Sequence, residues 1–336
     1  MFLVGTRRLR AGKWRQINVT PAHSRSIVCV TMQRSLSLVV LALASACGAN
    51  ANAPSAATTN AGELDASAVP TSCDDPPDAR PAGATCVLEA KGIVQDLSGA
   101  PLDKLVMTFC GGQCYGTQSD TSGAYTIPIG TYLPTEDYAM HADGRPDHAV
   151  DYRRFSANEP SVIAVTMRLP TLPPSTVQLP RDGSPASSVT VGDLTLQIPD
   201  NTMFDLDIED YGTAVGRILR VVSVPLASAP SYATAANVDA IYAIAPSSAK
   251  SRPDVDGGAQ ELVKMGVSLK NSAALPASAA VEFLVLGDDY SSTPPNVGVL
   301  SVAATGHVSA DGQTINTDSG EGISELTWLA VRRKGN

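Results

Sequence analysis

The chain has 336 residues, 24 of them basic and 33 acidic, so its formal net charge at pH 7 is −9. This length is enough for about two domains, and the negative charge argues against a nucleic-acid backbone as a partner. Glycine (27) and proline (24) occur at a share near that of folded proteins, so neither wholesale disorder nor collagen-like repetition is expected. Residues 1–46 carry seven basic side chains and no acidic one, which is typical of a segment recognised by export machinery.

Residues 32–46 have the pattern of a secretory signal peptide. The basic Arg34 is followed by the apolar run 36–44, and small residues then lead to Cys47. The run is too short to span a bilayer, which needs about 20 apolar residues. We interpret residues 1–31 as an over-extended start before Met32 or as a long basic n-region, and in either case as no part of the fold.

The small residues before Cys47 resemble the lipobox of bacterial lipoproteins, in which the cysteine is lipidated and becomes the N-terminus. Leu43 lies four residues before Cys47 rather than three, which leaves ordinary cleavage of a secreted or periplasmic protein as the alternative. The resemblance implies a membrane anchor on Cys47, and Gly48 in place of aspartate favours the outer membrane. Residues 47–72 are rich in Ala, Asn, Ser and Thr, and they are predicted to form a flexible tether.

Four cysteines follow the tether, an even number as expected of an exported, oxidised protein: Cys73, Cys86, Cys110 and Cys114. Three pairings are possible. We favour Cys73–Cys86 with Cys110–Cys114 because each bond closes a local loop. A metal site is the alternative, although no histidine lies near these cysteines in the sequence.

Residues 73–169 show short runs in which apolar and polar residues alternate, separated by turn signals such as 96–99 and 120–123. This spacing predicts a β-sandwich. The stretches 92–102 and 117–125 resemble the carboxypeptidase regulatory-like family, which implies a transthyretin-like sandwich. The resemblance rests on turns and core positions, so it implies no particular activity.

A proline-rich linker, 170–180, separates this region from a second region of alternating strands, 181–336. The Pro199 and Pro276 segments and the Asp311-Gly312 hairpin signal give it a weaker resemblance to ZU5-like modules. The chain is therefore predicted to be all-β, with two β-sandwich domains in tandem after a signal peptide and a flexible tether.

Few residues suggest a catalytic or metal-binding site. His141, Asp143 and His148 are the densest group that could hold a metal or a shallow hydrolase site, and the alternative is a polar loop between strands. The acidic Asp205, Asp207 and Glu209 alternate and are weak candidates for Ca²⁺ ligands. Their segment lacks the glycine and terminal glutamate of the twelve-residue calcium loop, so a solvated strand edge is the alternative. We expect no cofactor.

Aromatic residues complete the set of candidates. Trp328 lies in an apolar strand and is expected in the core, whereas four tyrosines of the first region are weak candidates for a carbohydrate surface: Tyr115, Tyr132, Tyr138 and Tyr152.

From this sequence we expect a non-enzymatic envelope lipoprotein with an adhesion, scaffolding or ligand-binding role. The expected partners are the membrane, through the lipid anchor, and envelope proteins or polysaccharide; nucleic acid is not expected. An accessory subunit of an envelope complex is the first alternative, and a hydrolase around His141 is the second.

Overall fold

The computed structural model describes residues 72–76, 78, 80, 82–111, 113–134, 137–156, 161–254, 261–288 and 297–335. They lie in one compact unit and form nineteen β-strands and one short α-helix, which confirms the all-β class. No helix in this part of the chain combines the length and the apolar character that a membrane span requires. The predictions for residues 1–71, which include the signal peptide, Cys47 and almost all of the tether, lie outside the described residues.

The first β-region is a two-layer sandwich. Its strands are β1 (Thr85–Asp96), β2 (Val106–Cys110), β3 (Cys114–Gln118), β4 (Ala124–Leu133), β5 (Asp137–Asp143), β6 (Asp151–Ser156) and β7 (Val162–Leu169). One sheet has the order β4-β1-β7 and the other the order β3-β2-β5-β6. Both sheets contribute to one buried cluster, in which Ala90, Met107 and Met167 are fully buried, because the apolar residues of each strand alternate towards it. β6 and β7 are each the last strand of a sheet.

Two turns of this sandwich repeat the same hydrogen bonds. The Oδ1 atom of Asp96 accepts from the backbone N–H and hydroxyl of the serine two residues later, and from the backbone N–H four residues later. Asp120 accepts the equivalent three bonds. Gly99 and Gly123 have φ values of 91° and 74°, which glycine adopts without steric penalty. The two Asp-x-Ser-Gly signals are therefore turns, as predicted.

The four cysteines of this region form two local disulfides, in the favoured pairing. Cys73 bonds Cys86, with 5.9 Å between their Cα atoms, and so ties the beginning of the described chain to β1. Cys110 bonds Cys114 across the β2–β3 hairpin, with 4.1 Å between the Cα atoms.

The second β-region is built around a nine-stranded sheet. Its elements are β8 (Ser187–Val191), β9 (Leu194–Ile198), β10 (Thr202–Asp205), β11 (Arg220–Ser223), α1 (Ser231–Ala235), β12 (Ala240–Ala245), β13 (Ala249–Pro253), β14 (Gly266–Lys270), β15 (Ala280–Leu286), β16 (Leu300–Val308), β17 (Thr314–Thr317), β18 (Glu325–Leu326) and β19 (Leu329–Arg333). The large sheet has the order β11-β12-β19-β15-β16-β17-β14-β9-β8, and a small one has the order β10-β13-β18. Leucines of the large sheet share a buried cluster with Phe204 and Leu326 of the small one. The Asp311-Gly312 signal connects β16 to β17, as expected of a hairpin turn.

A separate buried cluster joins the two β-regions. Val150 and Tyr152 of the first region pack there with Ile241 and Trp328 of the second. Leu172, from the predicted linker, belongs to the same cluster and is 5% exposed. The segment between the regions is therefore packed against the junction, because its leucine buries apolar surface there.

Candidate anion-binding groove

The buried carboxylate of Asp151 connects the two β-regions. Asp151 begins β6 and is 0% exposed, and its Oδ1 atom accepts a 2.8 Å hydrogen bond from the hydroxyl of Tyr232 in α1. Its Oδ2 atom accepts a 3.0 Å hydrogen bond from Nε of Arg153. Burial raises the pKa of Asp151, and the charge of Arg153 and the Tyr232 hydrogen bond oppose that rise. Both oxygens are thus satisfied, as a buried polar group requires.

Hydrogen bonds hold two arginines, Arg153 in β6 and Arg332 in β19, in fixed orientations. Nη1 of Arg153 donates a 2.9 Å hydrogen bond to Oγ of Ser231, and its guanidinium lies 5.2 Å from the ring centroid of Tyr232. Nε of Arg332 in β19 donates a 2.8 Å bond to Oε2 of Glu282, and its Nη1 donates to a backbone carbonyl just after α1. Because these side chains are already ordered, less conformational entropy is lost when they bind a ligand.

A groove of about 970 Å³ opens beside these side chains. Four arginines line it: Arg153 and Arg154 of β6, Arg168 of β7 and Arg332 of β19. No aspartate or glutamate is among the described residues that line it. Arg154 and Arg168 are exposed, and Arg168 has no ion pair with any described residue. We call this site the arginine groove.

Small residues keep the arginine groove open. Its lining includes five alanines: Ala164, Ala227, Ala229, Ala235 and Ala236. On the wall formed by the segment before β16, a Cβ atom at Gly298 would lie 2.5 Å from the backbone nitrogen of Arg154. Gly298 also has a φ of +70°, so any other residue there would be strained and would push this wall away from β6.

The lining determines what the arginine groove can bind. Planar guanidinium groups donate paired hydrogen bonds to carboxylates and phosphates. The ring of Tyr232 is 8% exposed and lies against Arg153, while Phe155 packs on Phe109 with 6.2 Å between ring centroids. The described lining of the arginine groove therefore offers charge and hydrogen-bond donors, but little aromatic face on which a sugar ring could stack.

The histidine group predicted from the sequence lies at a different place. His141, in β5, stacks on Tyr152 with 4.5 Å between ring centroids, and burial lowers its pKa to about 4. Asp143 accepts two hydrogen bonds from Arg145, through Nε and Nη2. Asp143 and His148 both line a smaller groove of about 340 Å³, whereas His141 is not among its lining residues. The carboxylate of Asp143, which a metal ion or a catalytic proton transfer would use, is therefore hydrogen-bonded to Arg145.

The weak calcium candidates are paired with arginines. Asp205 lies 3.0 Å from Nη2 of Arg252, and Asp207 lies 2.9 Å from Nη1 of Arg145. Glu209, which is half exposed, lies 3.6 Å from the Arg145 guanidinium. Within the described ranges, no group of three or more histidine, cysteine, aspartate or glutamate side chains is arranged to hold a metal ion.

The predictions for the aromatic residues have different outcomes. Trp328 is 1% exposed and lies in the core, as expected, but in the cluster that joins the two β-regions. Tyr138 and Tyr152 are buried at 3% and 1% exposure, so they form no open surface for a carbohydrate. Tyr138 packs in the core of the first sandwich, and Tyr152 packs in the cluster that joins the two β-regions.

The arginines of the groove were missed at the sequence level. Arg153-Arg154 was visible as an adjacent basic pair in an acidic body, but Arg168 and Arg332 are separated by nearly half of the chain. Comparison with known proteins finds no family model and no curated protein that matches this chain. The resemblances to the carboxypeptidase regulatory-like and ZU5-like families therefore remain expectations.

Proposed function

We propose that this protein is an exported binding protein of the cell envelope, that a lipid on Cys47 anchors it, and that the arginine groove receives an anionic ligand. The observation that carries the proposal is the concentration of four arginines, with no carboxylate among the described lining residues, in a chain of net charge −9. Arginine forks recognise carboxylate and phosphate groups. The proposed role is binding, with no catalytic step.

Two further observations support export and the envelope. Two disulfides occur among the described residues, and such bonds persist in oxidising compartments outside the cytoplasm. The signal-like segment before Cys47 supplies the route to the membrane, and more than one acyl chain gives durable anchoring.

The groove is tested by binding of two polyanions, poly-glutamate and polygalacturonate, to the purified protein at low and high salt. We expect binding that weakens as salt rises, because exposed charges are screened. Arg168→Glu should weaken it at least about tenfold, since hydrogen bonds to charged groups contribute roughly 1.5–3 kcal/mol. Arg181→Glu is the matched control, an exposed arginine that does not line the groove. Failure of both polyanions to bind, or equal effects of the two variants, contradicts the proposal.

The anchor is tested separately, by labelling cells with radioactive palmitate. Wild-type protein should incorporate the label and sediment with membranes, whereas Cys47→Ser should do neither. Cys29→Ser is the control, because this cysteine precedes the signal-like segment. Label in the Cys47→Ser protein overturns the anchor and leaves the groove proposal standing.

A further inference from the structure

One wall of the arginine groove is the free edge of a β-sheet. β7 pairs in parallel with β1 over its whole length, from Glu89↔Val162 to Asp96↔Leu169. It is the last strand in the order β4-β1-β7, so no described strand pairs with its other side. Ala164, Val165 and Thr166 all line the groove, although neighbouring side chains of a strand point to opposite faces. The groove therefore runs along the edge of β7.

The backbone of β7 presents hydrogen-bonding groups to this edge. The carbonyl of Ser161 accepts from the N–H of Leu88, and a Cβ atom at Gly92 would collide with the carbonyl oxygen of Val165. Both carbonyls therefore point towards β1. Because successive residues of a strand direct their N–H and C=O groups to opposite sides, those of Ala164 and Thr166 point into the groove.

The free strand edge and the arginines together favour an extended peptide as the ligand. An exposed strand edge binds an extended chain by main-chain hydrogen bonds, and the strand it adds lies about 4.7–4.9 Å away. The alanine walls leave room for that backbone, and Arg168, Arg154 and Arg332 flank the edge from three strands. The described residues of the arginine groove offer no open aromatic face for sugar stacking, so a peptide fits these features better than a polysaccharide.

We infer that the arginine groove binds an extended acidic peptide segment, which adds to the free edge of β7 as the fourth strand of the β4-β1-β7 sheet. This inference rests on the proposed function and names the ligand class of the same site. Main-chain bonds to Ala164 and Thr166 would hold the segment, and its carboxylates would pair with the arginines that line the groove.

The test compares an acetylated, amidated octapeptide of alternating glutamate and threonine with the same peptide N-methylated at every residue. Both carry the same charge, but the methylated peptide has no backbone N–H to donate. We expect it to bind at least about tenfold more weakly, because several hydrogen bonds are lost together. In the complex with the unmodified peptide, hydrogen exchange at the amides of Ala164 and Thr166 should slow.

A second test changes β7 of the protein instead of the peptide. Thr166→Pro removes an N–H that points into the groove and none that pairs with β1, and Thr166→Val is its control. We expect only the proline variant to lose binding of the octapeptide, with both variants still binding inorganic phosphate at the arginines.

The outcomes separate the two proposals. Equal binding of both octapeptides, or unchanged exchange at Ala164 and Thr166 in the complex, overturns strand addition. Binding of polygalacturonate without binding of the octapeptide also overturns it and supports an anionic polysaccharide instead. If no polyanion and no octapeptide binds, the proposed function fails together with this inference.

Discussion

The indole Nε1 atom of Trp328 donates a 2.6 Å hydrogen bond to the backbone carbonyl of Val150, a residue that lies 178 positions earlier in the chain. The ring of Tyr232 packs edge-on against the same indole, with 6.0 Å between the ring centroids. This contact fixes the second β-region against the start of β6, from which two arginines of the groove project. The geometry of the groove therefore depends on a residue outside it.

Trp328→Ala should destabilise the protein by about 3–5 kcal/mol, the usual range for removal of a buried large aromatic side chain. Trp328→Phe keeps most of the apolar surface but leaves the Val150 carbonyl without its donor, so about 1–3 kcal/mol is expected. Urea unfolding followed by circular dichroism measures both. Val302→Ala is the control, since Val302 is 49% exposed; a Trp328→Ala protein as stable as this control contradicts the prediction.

Glu325 should make the protein less stable as pH rises. Burial and the nearby Asp288 raise its pKa from 4.5 to about 7, against the opposing charge of Lys250. The folded protein thus keeps a proton that the unfolded chain releases. The contribution to stability is complete below pH 4.5 and is lost as pH rises through 7, by at most about 3 kcal/mol. Glu325→Gln should abolish this loss, measured as the free energy of unfolding at pH values on both sides of this range.

His141 should have the opposite effect on the pH dependence of stability, over an overlapping pH range. Burial lowers its pKa from 6.5 to about 4, so the unfolded chain binds a proton that the folded protein excludes. Its contribution is complete above pH 6.5 and is lost as pH falls towards 4. His141→Gln should remove that loss. The two effects oppose each other in the wild type, so each variant should show a steeper pH dependence, of opposite sign, than the wild type between pH 4.5 and 6.5. Parallel curves for the two variants contradict both assignments.

Arg145→Gln should be strongly destabilising. The guanidinium is 9% exposed and lies within 3.3 Å of the carboxylates of Asp143, Asp207 and Asp210. Removing it leaves partly buried carboxylates without their counter-charge, which typically costs about 3–5 kcal/mol. Lys264→Gln is the control, because its ion pair with Glu321 is exposed and should contribute about 0.2–1 kcal/mol. Equal unfolding midpoints for the two variants argue against the Arg145 cluster.

The fold class was predictable because local pattern determines it. The alternation in β1, β9 and β15 identifies strands, and the Asp-x-Ser-Gly stretches identify turns, since both depend on residues close in sequence. The two disulfides follow the same logic, because each closes a short loop.

The arginine groove was not predictable, because its arginines come from three strands that only the fold brings together. For the same reason the sequence suggested a metal at His141 and Asp143, whereas Arg145 binds Asp143 and also reaches Asp207, 62 residues away. The packing of Leu172 was missed as well, since a proline-rich stretch has no period from which burial could be inferred.

The position of β6 and β7 has a consequence for work with fragments. Both strands end their sheets, and the second region packs beside them at Val150 and Tyr152. A recombinant piece restricted to 73–169 would expose this apolar surface together with two bare strand edges, a combination that promotes self-association. Truncation at the proline-rich stretch would thus create an aggregation-prone fragment, so biophysical work should begin with a polypeptide that retains both β-regions.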